Sequence, residues 1–268
     1  MGTLDGRRLV VTRRPGQSSR LVALLEERGA SVLEVPAIEV VAPPDTAPLD
    51  EALGELGRYD WVVFPSANAV SAVLGRLIVL GLEPRLGARG SPGRTRPKVA
   101  SVGSSTTAAL RSTFPGDRVE LEPSAEYRAA GLLEAFRRTG VSGARVLVPS
   151  STRARDELPG GLRQLGAQVD VVSAYATVDA PGVEDAVGRC LEGGFDLVLF
   201  ASPSAVEGFA NAAGERRQGL AVVVIGPTTE AAARAAGMDV RAVARPSTVE
   251  GLVAAAEQVL GGPARPQR

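Results

Sequence analysis

The chain has 268 residues, 44% hydrophobic and 22% charged, a composition of globular proteins and long enough to bury one or two substantial cores. Thirty basic side chains balance thirty acidic ones, which argues against a nucleic-acid binder or a protein held on a membrane surface by charge. There is one cysteine and no histidine, which excludes a disulfide framework, a CxxC motif, Ser-His-Asp and Cys-His catalysis, and imidazole metal sites.

No GxGxxG, GxxxxGK[ST] or GxSxG motif occurs. No apolar run reaches membrane-spanning length, and the start MGTLDGRR lacks the apolar segment of a signal peptide. A cytoplasmic location is therefore expected.

In chain order, residues 8–12 read as a strand, Arg13-Arg14-Pro15 as a turn, and 17–28 as a helix closed by Gly29. Residues 31–41 form an unusually long extended run that stops at Pro43-Pro44. A helix over 49–56, a strand over 61–64 and a helix over 67–80 follow. Residues 81–97 are rich in Gly, Pro and Arg without interleaved aromatics, so a solvated insertion is expected rather than a binding patch. A strand over 98–102, the turn 103–107, a helix over 108–113, a strand over 119–121 and a helix over 128–137 complete one half.

The pattern then restarts. Strand 145–148, turn 149–153, helix 155–165, the long extended run 168–178, helix 183–192, strand 196–200 and helix 203–213 come next. Strand 221–225, the turn GPTTE, helix 231–236, strand 240–243 and helix 249–260 follow, and the tail GGPARPQR reads as disordered. Cys190, beside apolar Val187 and Leu191 on a predicted helix, reads as core rather than as a reactive thiol.

The two halves match as repeats. DWVVFPSANAVSAV answers DLVLFASPSAVEGF, SVGSSTTAAL answers VIGPTTEAAA, and RGASVLEVPAIEVVAP answers LGAQVDVVSAYATVDAP. Alternating strands and helices predict an α/β protein of two similar parallel-sheet lobes, flavodoxin-like and internally duplicated. The two long extended runs are natural connectors between lobes.

The residues also suggest where a ligand would sit. Small polar turns end apolar strands and open helices at Ser66-Ala67-Asn68, at Gly103, Ser105 and Thr106, at Ser202-Pro203-Ser204, and at Gly226, Thr228 and Thr229. Ligands bind outside the carboxyl ends of strands in open α/β sheets, and helix N-termini favour anions. The same hydroxyls also suit plain helix capping, and the two roles can coexist.

These motifs resemble the uroporphyrinogen-III synthase family. The resemblance rests on Val11-Thr12-Arg13, VFxSxNAV at 63–70, VGxxTxxxL at 102–110 and Arg155-Asp156-Glu157-Leu158. It continues with Tyr175-x-Thr177, FxSPSAV at 200–206, IGPTT at 225–229 and PSTVEGL at 246–252, so it spans nearly the whole chain. Each motif is weak alone; their order and duplication carry the resemblance. Pro65 stands where the family usually has Thr, and residues 85–97 look longer than typical.

The resemblance implies a discontinuous lobe of residues 1–35 and 177–268, a second lobe of 43–168, and a two-stranded linker of 36–42 and 169–176. It implies cyclisation of hydroxymethylbilane to uroporphyrinogen III, with loss of water and inversion of the last pyrrole ring, in a cleft between lobes and without a cofactor. A monomer is expected, binding no nucleic acid or membrane, with hydroxymethylbilane synthase as a transient partner. A synthase-like protein that binds a tetrapyrrole without turnover is the second expectation.

Tyr175 falls on the family's Tyr-x-Thr and is the expected acid assisting departure of the hydroxyl, although an aromatic on a strand also suits packing. A phenol with a solution pKa of about 10 is a weak acid at neutral pH, so a modest contribution is expected. Arg13 and Arg155 suit either substrate carboxylates or surface pairing, the latter with Asp156 and Glu157 close to Arg155. Glu126 and Glu250 read as solvated.

Overall fold

The computed structural model describes residues 2–13, 18–84, 86, 97–123 and 129–261. The expected turn at Arg14-Pro15, the helix start at Gln17, most of the 81–97 segment, Glu126, Arg128 and the tail after residue 261 lie outside the described residues. The chain divides into two compact units, Met1–Glu39 with Val178–Arg268, and Val40–Thr177.

The first unit holds strands β1 (Arg8–Val11) and β2 (Ser31–Glu34) with helix α1 (Ser19–Glu26) between them. In the second unit come α2 (Ala47–Gly54), β4 (Trp61–Phe64), α3 (Ala67–Val79), β5 (Lys98–Ser101), α4 (Ser104–Thr113), β6 (Val119–Leu121), α5 (Ala129–Thr139), β7 (Arg145–Ser151) and α6 (Glu157–Gln164). Strands β3 (Ile38–Val41) and β8 (Gln168–Asp179) span the two division points. The first unit resumes with α7 (Val183–Gly193), β9 (Leu197–Phe200), α8 (Pro203–Ala213), β10 (Ala221–Val224), α9 (Pro227–Ala235), β11 (Asp239–Val243) and α10 (Val249–Leu260).

Among the described residues the strands form a five-stranded sheet, β11-β10-β9-β1-β2, and a six-stranded sheet, β3-β8-β7-β4-β5-β6. The repeats pair β1 with β7, β2 with β8, β9 with β4, β10 with β5, and β11 with β6. Written in those terms five strands of each sheet share one spatial order, the 2-1-3-4-5 order of flavodoxin-like folds, and β3 adds a sixth strand beside β8.

The duplication extends to register. Leu9 faces Leu197 in one sheet as Val146 faces Trp61 in the other, and Arg8 faces Ser31 as Arg145 faces Gln168. A register shift falls between Val222 and Val223 beside β11 and between the matching Val99 and Ala100 beside β6. Gly29 and Gly166, which close the equivalent helices α1 and α6, have φ of 89° and 88°, a conformation that favours glycine.

Each sheet is buried on both faces because its central strand is apolar throughout. In β4, Val62 and Phe64 pack toward Val70, Val73 and Leu77 of α3, while Trp61 and Val63 pack toward Leu132 and Phe136 of α5 and Leu162 of α6. In β9, Val198 and Phe200 pack toward Val206 and Phe209 of α8, while Leu197 and Leu199 pack toward α1 and α10. Fully burying a side chain such as Phe64 or Phe200 contributes about 1.5–3 kcal/mol. Cys190 is buried in the α7–α8 core, and desolvation raises its thiol pKa.

Three local expectations change. The run 31–41 is two strands in different sheets: β2 is an edge strand that ends at Glu34, the N–H groups of Val35 and Ala37 still donate to the Val11 and Thr12 carbonyls at 2.9 and 3.3 Å, and β3 starts in the other sheet at Ile38. Residues 149–151 continue β7 instead of turning; β4 pairs only as far as Leu147, so Pro149 meets a neighbour on the β8 side alone. Leu86, expected in a solvated insertion, is buried in the α3 core, and its N–H donates to Asp117 at 2.8 Å.

Candidate active site

In parallel sheets all carboxyl ends lie on one edge, and in this strand order the topological switch points fall between β1 and β9 and between β7 and β4. The candidate residues follow these strands directly. Each unit thus has its own carboxyl edge, described in turn.

In the unit Val40–Thr177, β4 ends at Phe64 and α3 begins at Ala67, with Ser66 as N-cap. Ser66 Oγ accepts the backbone N–H of Ala69 at 3.2 Å. Ala67 and Asn68, in the first turn, are half-buried, as is Pro65. Next along the edge, Gly103 caps α4 in an extended conformation. The helix begins at Ser104, four residues before the expected start, so Ser105 and Thr106 sit in its first turn and do not cap it. Ser105 is exposed and Thr106 buried, while the following Thr107 joins its hydroxyl to that of Ser101 at 2.6 Å.

Tyr175 comes to this edge by a break in register. The β7–β8 ladder runs Ser150 to Ser173 and then Ser151 to Tyr175, skipping Ala174. Strict alternation would set Tyr175 and Ala174 on opposite faces. The irregularity instead places Tyr175 in the same core cluster as Val172, Ala174, Phe64 and Val70. The backbone carbonyl of Tyr175 accepts from Thr152 N–H at 3.0 Å, and its hydroxyl lies 3.1 Å from Ser66 Oγ. Tyr175 is 8% exposed.

Arg155 lies in the loop before α6 and is exposed; its neighbour Asp156 pairs with Arg163 at 3.1 Å instead. Ser150 and Ser151, at the end of β7 and so beside the switch point, belong to the same edge. Strand order, which the sequence does not display, is what identifies them.

In the unit Met1–Glu39 with Val178–Arg268, Ser202 caps α8 as Ser66 caps α3, accepting from Ala205 N–H at 3.2 Å. Pro203 and Ser204 occupy its first turn and are half-buried. Gly226 caps α9 as Gly103 caps α4, and the helix again starts four residues early, at Pro227, where proline's missing N–H is no loss. Thr228 is exposed and Thr229 buried, the same division as Ser105 and Thr106. A methyl group on Gly226 would lie 3.1 Å from Ser247 Oγ.

Arg13 follows β1 beside this edge and is half-buried; desolvation lowers its pKa, and it forms no ion pair among the described residues. A guanidinium remains protonated at neutral pH, so a partly desolvated cation stands at the switch point. Thr12 beside it is buried, and its hydroxyl donates to the Leu199 carbonyl at 3.2 Å.

The helix starts have a further common feature. The first turns of α3, α4 and α8 contain no acidic residue, as is also true of α1 and α5, whereas α2, α6, α7 and α10 carry Asp50, Glu157, Glu184 with Asp185, and Glu250. Acid-free helix N-termini with free N–H groups suit anionic groups. The acid in α9, Glu230, is engaged by Arg234 at 2.9 Å.

Two surface grooves, of 440 and 510 Å³, flank α8 in the first unit, and none of the candidate residues lines either. Among the described residues there is no group of three or more His, Cys, Asp or Glu arranged to hold a metal ion, and no helix long and apolar enough to cross a membrane.

The family model of uroporphyrinogen-III synthase HemD matches residues 19–254. The chain belongs to the uroporphyrinogen-III synthase family. It is 31% identical to the uroporphyrinogen-III synthase of Synechococcus elongatus over 266 residues, covering 95% of this chain and 96% of that one. It is 30% identical to the chloroplastic uroporphyrinogen-III synthase of Oryza sativa over 234 residues, covering 86% and 73%. A mutant uroporphyrinogen III synthase of Thermus thermophilus has a similar fold, with a TM-score of 0.62 at 17% identity over 95% of this chain and 99% of that one. Membership of the uroporphyrinogen-III synthase family makes the chain an enzyme of porphyrin biosynthesis acting on a small molecule.

Proposed function

We propose that this chain converts hydroxymethylbilane to uroporphyrinogen III, with loss of water and inversion of the last pyrrole ring, and that it needs no cofactor to do so. The observation that carries this reading is the duplicated carboxyl edge: equivalent small-polar helix starts, in equivalent register, in both units. A linear tetrapyrrole with eight carboxylates presents repeated anionic groups, and repeated backbone N–H groups meet them without requiring a net positive protein.

In this proposal Arg13 binds a carboxylate at the β1–β9 switch point. The helix starts at Ser66, Gly103, Ser202 and Gly226 take others, with Arg155 at the rim. The hydroxymethyl C–O bond breaks, its electron pair stays with oxygen, and Tyr175 supplies the proton that lets it leave as water. The pyrrole nitrogen stabilises the cation left behind as an azafulvenium. Ring closure through a spiro-pyrrolenine inverts the last ring, and the proton released on final aromatisation restores the phenol. Holding the flexible chain in a reactive conformation is the enzyme's larger task.

The test is a coupled assay in which hydroxymethylbilane is generated in situ, the purified protein added, and the oxidised porphyrin isomers separated. Mainly type III product is expected. Type I product at the spontaneous rate would overturn the reading and point to binding without turnover.

A further inference from the structure

The two repeats supply equivalent serine caps, but only one of them meets a tyrosine. By the repeat alignment Tyr175 corresponds to Ile38, so the counterpart of the Ser66–Tyr175 contact is Ser202 with an isoleucine. The duplicated edges are therefore chemically unequal. One offers a hydroxyl pair, and the other has no second hydroxyl at that place.

Hydrogen-bond accounting narrows what Ser66 does. A serine hydroxyl has one proton and two lone pairs. One lone pair of Ser66 Oγ takes the Ala69 N–H at 3.2 Å, and a second function of the hydroxyl is engaged by Tyr175 at 3.1 Å. Little capacity is left for a substrate group.

The direction of the Ser66–Tyr175 bond then decides the chemistry. Were Tyr175 the donor, its proton would be held by Ser66 and withheld from a leaving group. With Ser66 the donor, the phenol keeps its proton for the substrate. Accepting an N–H at a helix N-terminus polarises the Ser66 O–H bond and favours Ser66 as donor, since hydrogen bonds in a chain strengthen one another.

We propose that Ser66 is a positioning residue: it relays the α3 N-terminus to Tyr175, fixes the phenol's rotamer and leaves the Tyr175 proton directed away from Ser66. This rests on the synthase reading and deepens it, because it assigns departure of the hydroxyl to the unit Val40–Thr177 and leaves the Ser202 edge to binding. The fixed backbone of Tyr175 agrees with that assignment, held by Thr152 N–H and by the register irregularity at Ser151.

The test is a double-substitution cycle in the isomer assay, with kcat and KM measured for wild type, Ser66→Ala, Tyr175→Phe and the double variant. Type III product from the wild type establishes the underlying reading; its absence removes that reading before the cycle is made. Ser66→Ala is expected to lower kcat roughly two- to tenfold, the range of one hydrogen bond, with KM nearly unchanged. In the Tyr175→Phe background it should cost nothing further, because its route is already gone. Ser66→Thr, which keeps a hydroxyl, should restore most of kcat.

Losses that multiply in the double variant, or a Ser66→Ala effect confined to KM, would overturn the proposal and make Ser66 a substrate ligand or a cap only. Should Ser66→Ala not fold, Ser66→Gly serves the same cycle, since glycine is well tolerated at an N-cap.

Discussion

Asp196 accepts the backbone N–H of Arg8 through Oδ2 at 2.8 Å, tying the first strand of the chain to one 188 residues later. Its repeat counterpart, Asp60, accepts the N–H of Arg145 at the same distance. In both cases the aspartate's own N–H donates to the same residue's carbonyl at 2.8 Å, so each strand pair is closed by a two-way clasp. Asp196 is half-buried and also lies 3.4 Å from Arg7, whereas Asp60 is exposed. Asp196→Ala is expected to cost about 1–2 kcal/mol in chemical denaturation, and Asp60→Ala measurably less. Equal costs would mean that burial does not govern the clasp.

Two helical glycines should respond with opposite sign to alanine. At Gly208 in α8 an added Cβ would meet the Ala37 carbonyl oxygen at 2.6 Å and Ile38 Cγ2 at 2.9 Å, and backbone cannot swing aside as a side-chain end can. Gly208→Ala should lose about 1–3 kcal/mol to overpacking. At Gly75 in α3 nothing lies within 4 Å of that position. Gly75→Ala should gain about 0.5–1 kcal/mol from helix propensity. Thermal melting of both variants checks the pair.

The α2–α3 contact sets an acid limb. Arg76 holds Asp50 in a two-pronged hydrogen bond, and that bond is the largest cause of the lowered Asp50 pKa. A carboxylate with a depressed folded-state pKa adds stability above its unfolded value, near 3.8, and loses it as pH falls through the folded-state value. Wild type should therefore exceed Asp50→Asn in Tm by a constant margin from pH 5 to 8. The margin should shrink as pH drops below about 4. A margin unchanged at pH 3 would contradict the assignment.

Arg13 is expected to act on affinity. It is half-buried, desolvated and forms no ion pair among the described residues, which suits a guanidinium waiting for a carboxylate. Arg13→Ala should raise KM for hydroxymethylbilane roughly tenfold or more, the worth of a charge-assisted hydrogen bond, with a smaller effect on kcat. A kcat loss with unchanged KM would move Arg13 from binding into the chemical step.

Much of the α/β architecture was legible because period and punctuation agreed. Strand β4, helix α8 and helix α10 lie at the residues expected from apolar runs bounded by small polar turns. The duplication was legible too, since the repeats kept their turn residues in order.

What was not legible depends on pairing between distant segments. One strand ends at Glu34 and another begins in the other sheet at Ile38, although the stretch 31–41 looks uniformly extended. The early starts of α4 and α9 were hidden because Ser, Thr and Pro read as turn residues, although proline at the first helical position loses no N–H bond and the caps are the glycines Gly103 and Gly226. The Ser66–Tyr175 contact was out of reach for a further reason. It requires a register slip at Ser151, a property of two strands together and not of either sequence.

Mapping where a tetrapyrrole binds tests whether both carboxyl edges receive it. Backbone amide shifts should be followed by NMR while uroporphyrinogen III, kept reduced, is titrated into the isotope-labelled protein. The largest shifts are expected at both carboxyl edges: Ser66 to Ala69 and Gly103 to Thr106 in one unit, Ser202 to Ala205 and Gly226 to Thr229 in the other. Shifts confined to one unit, or gathered along the grooves beside α8, would contradict it.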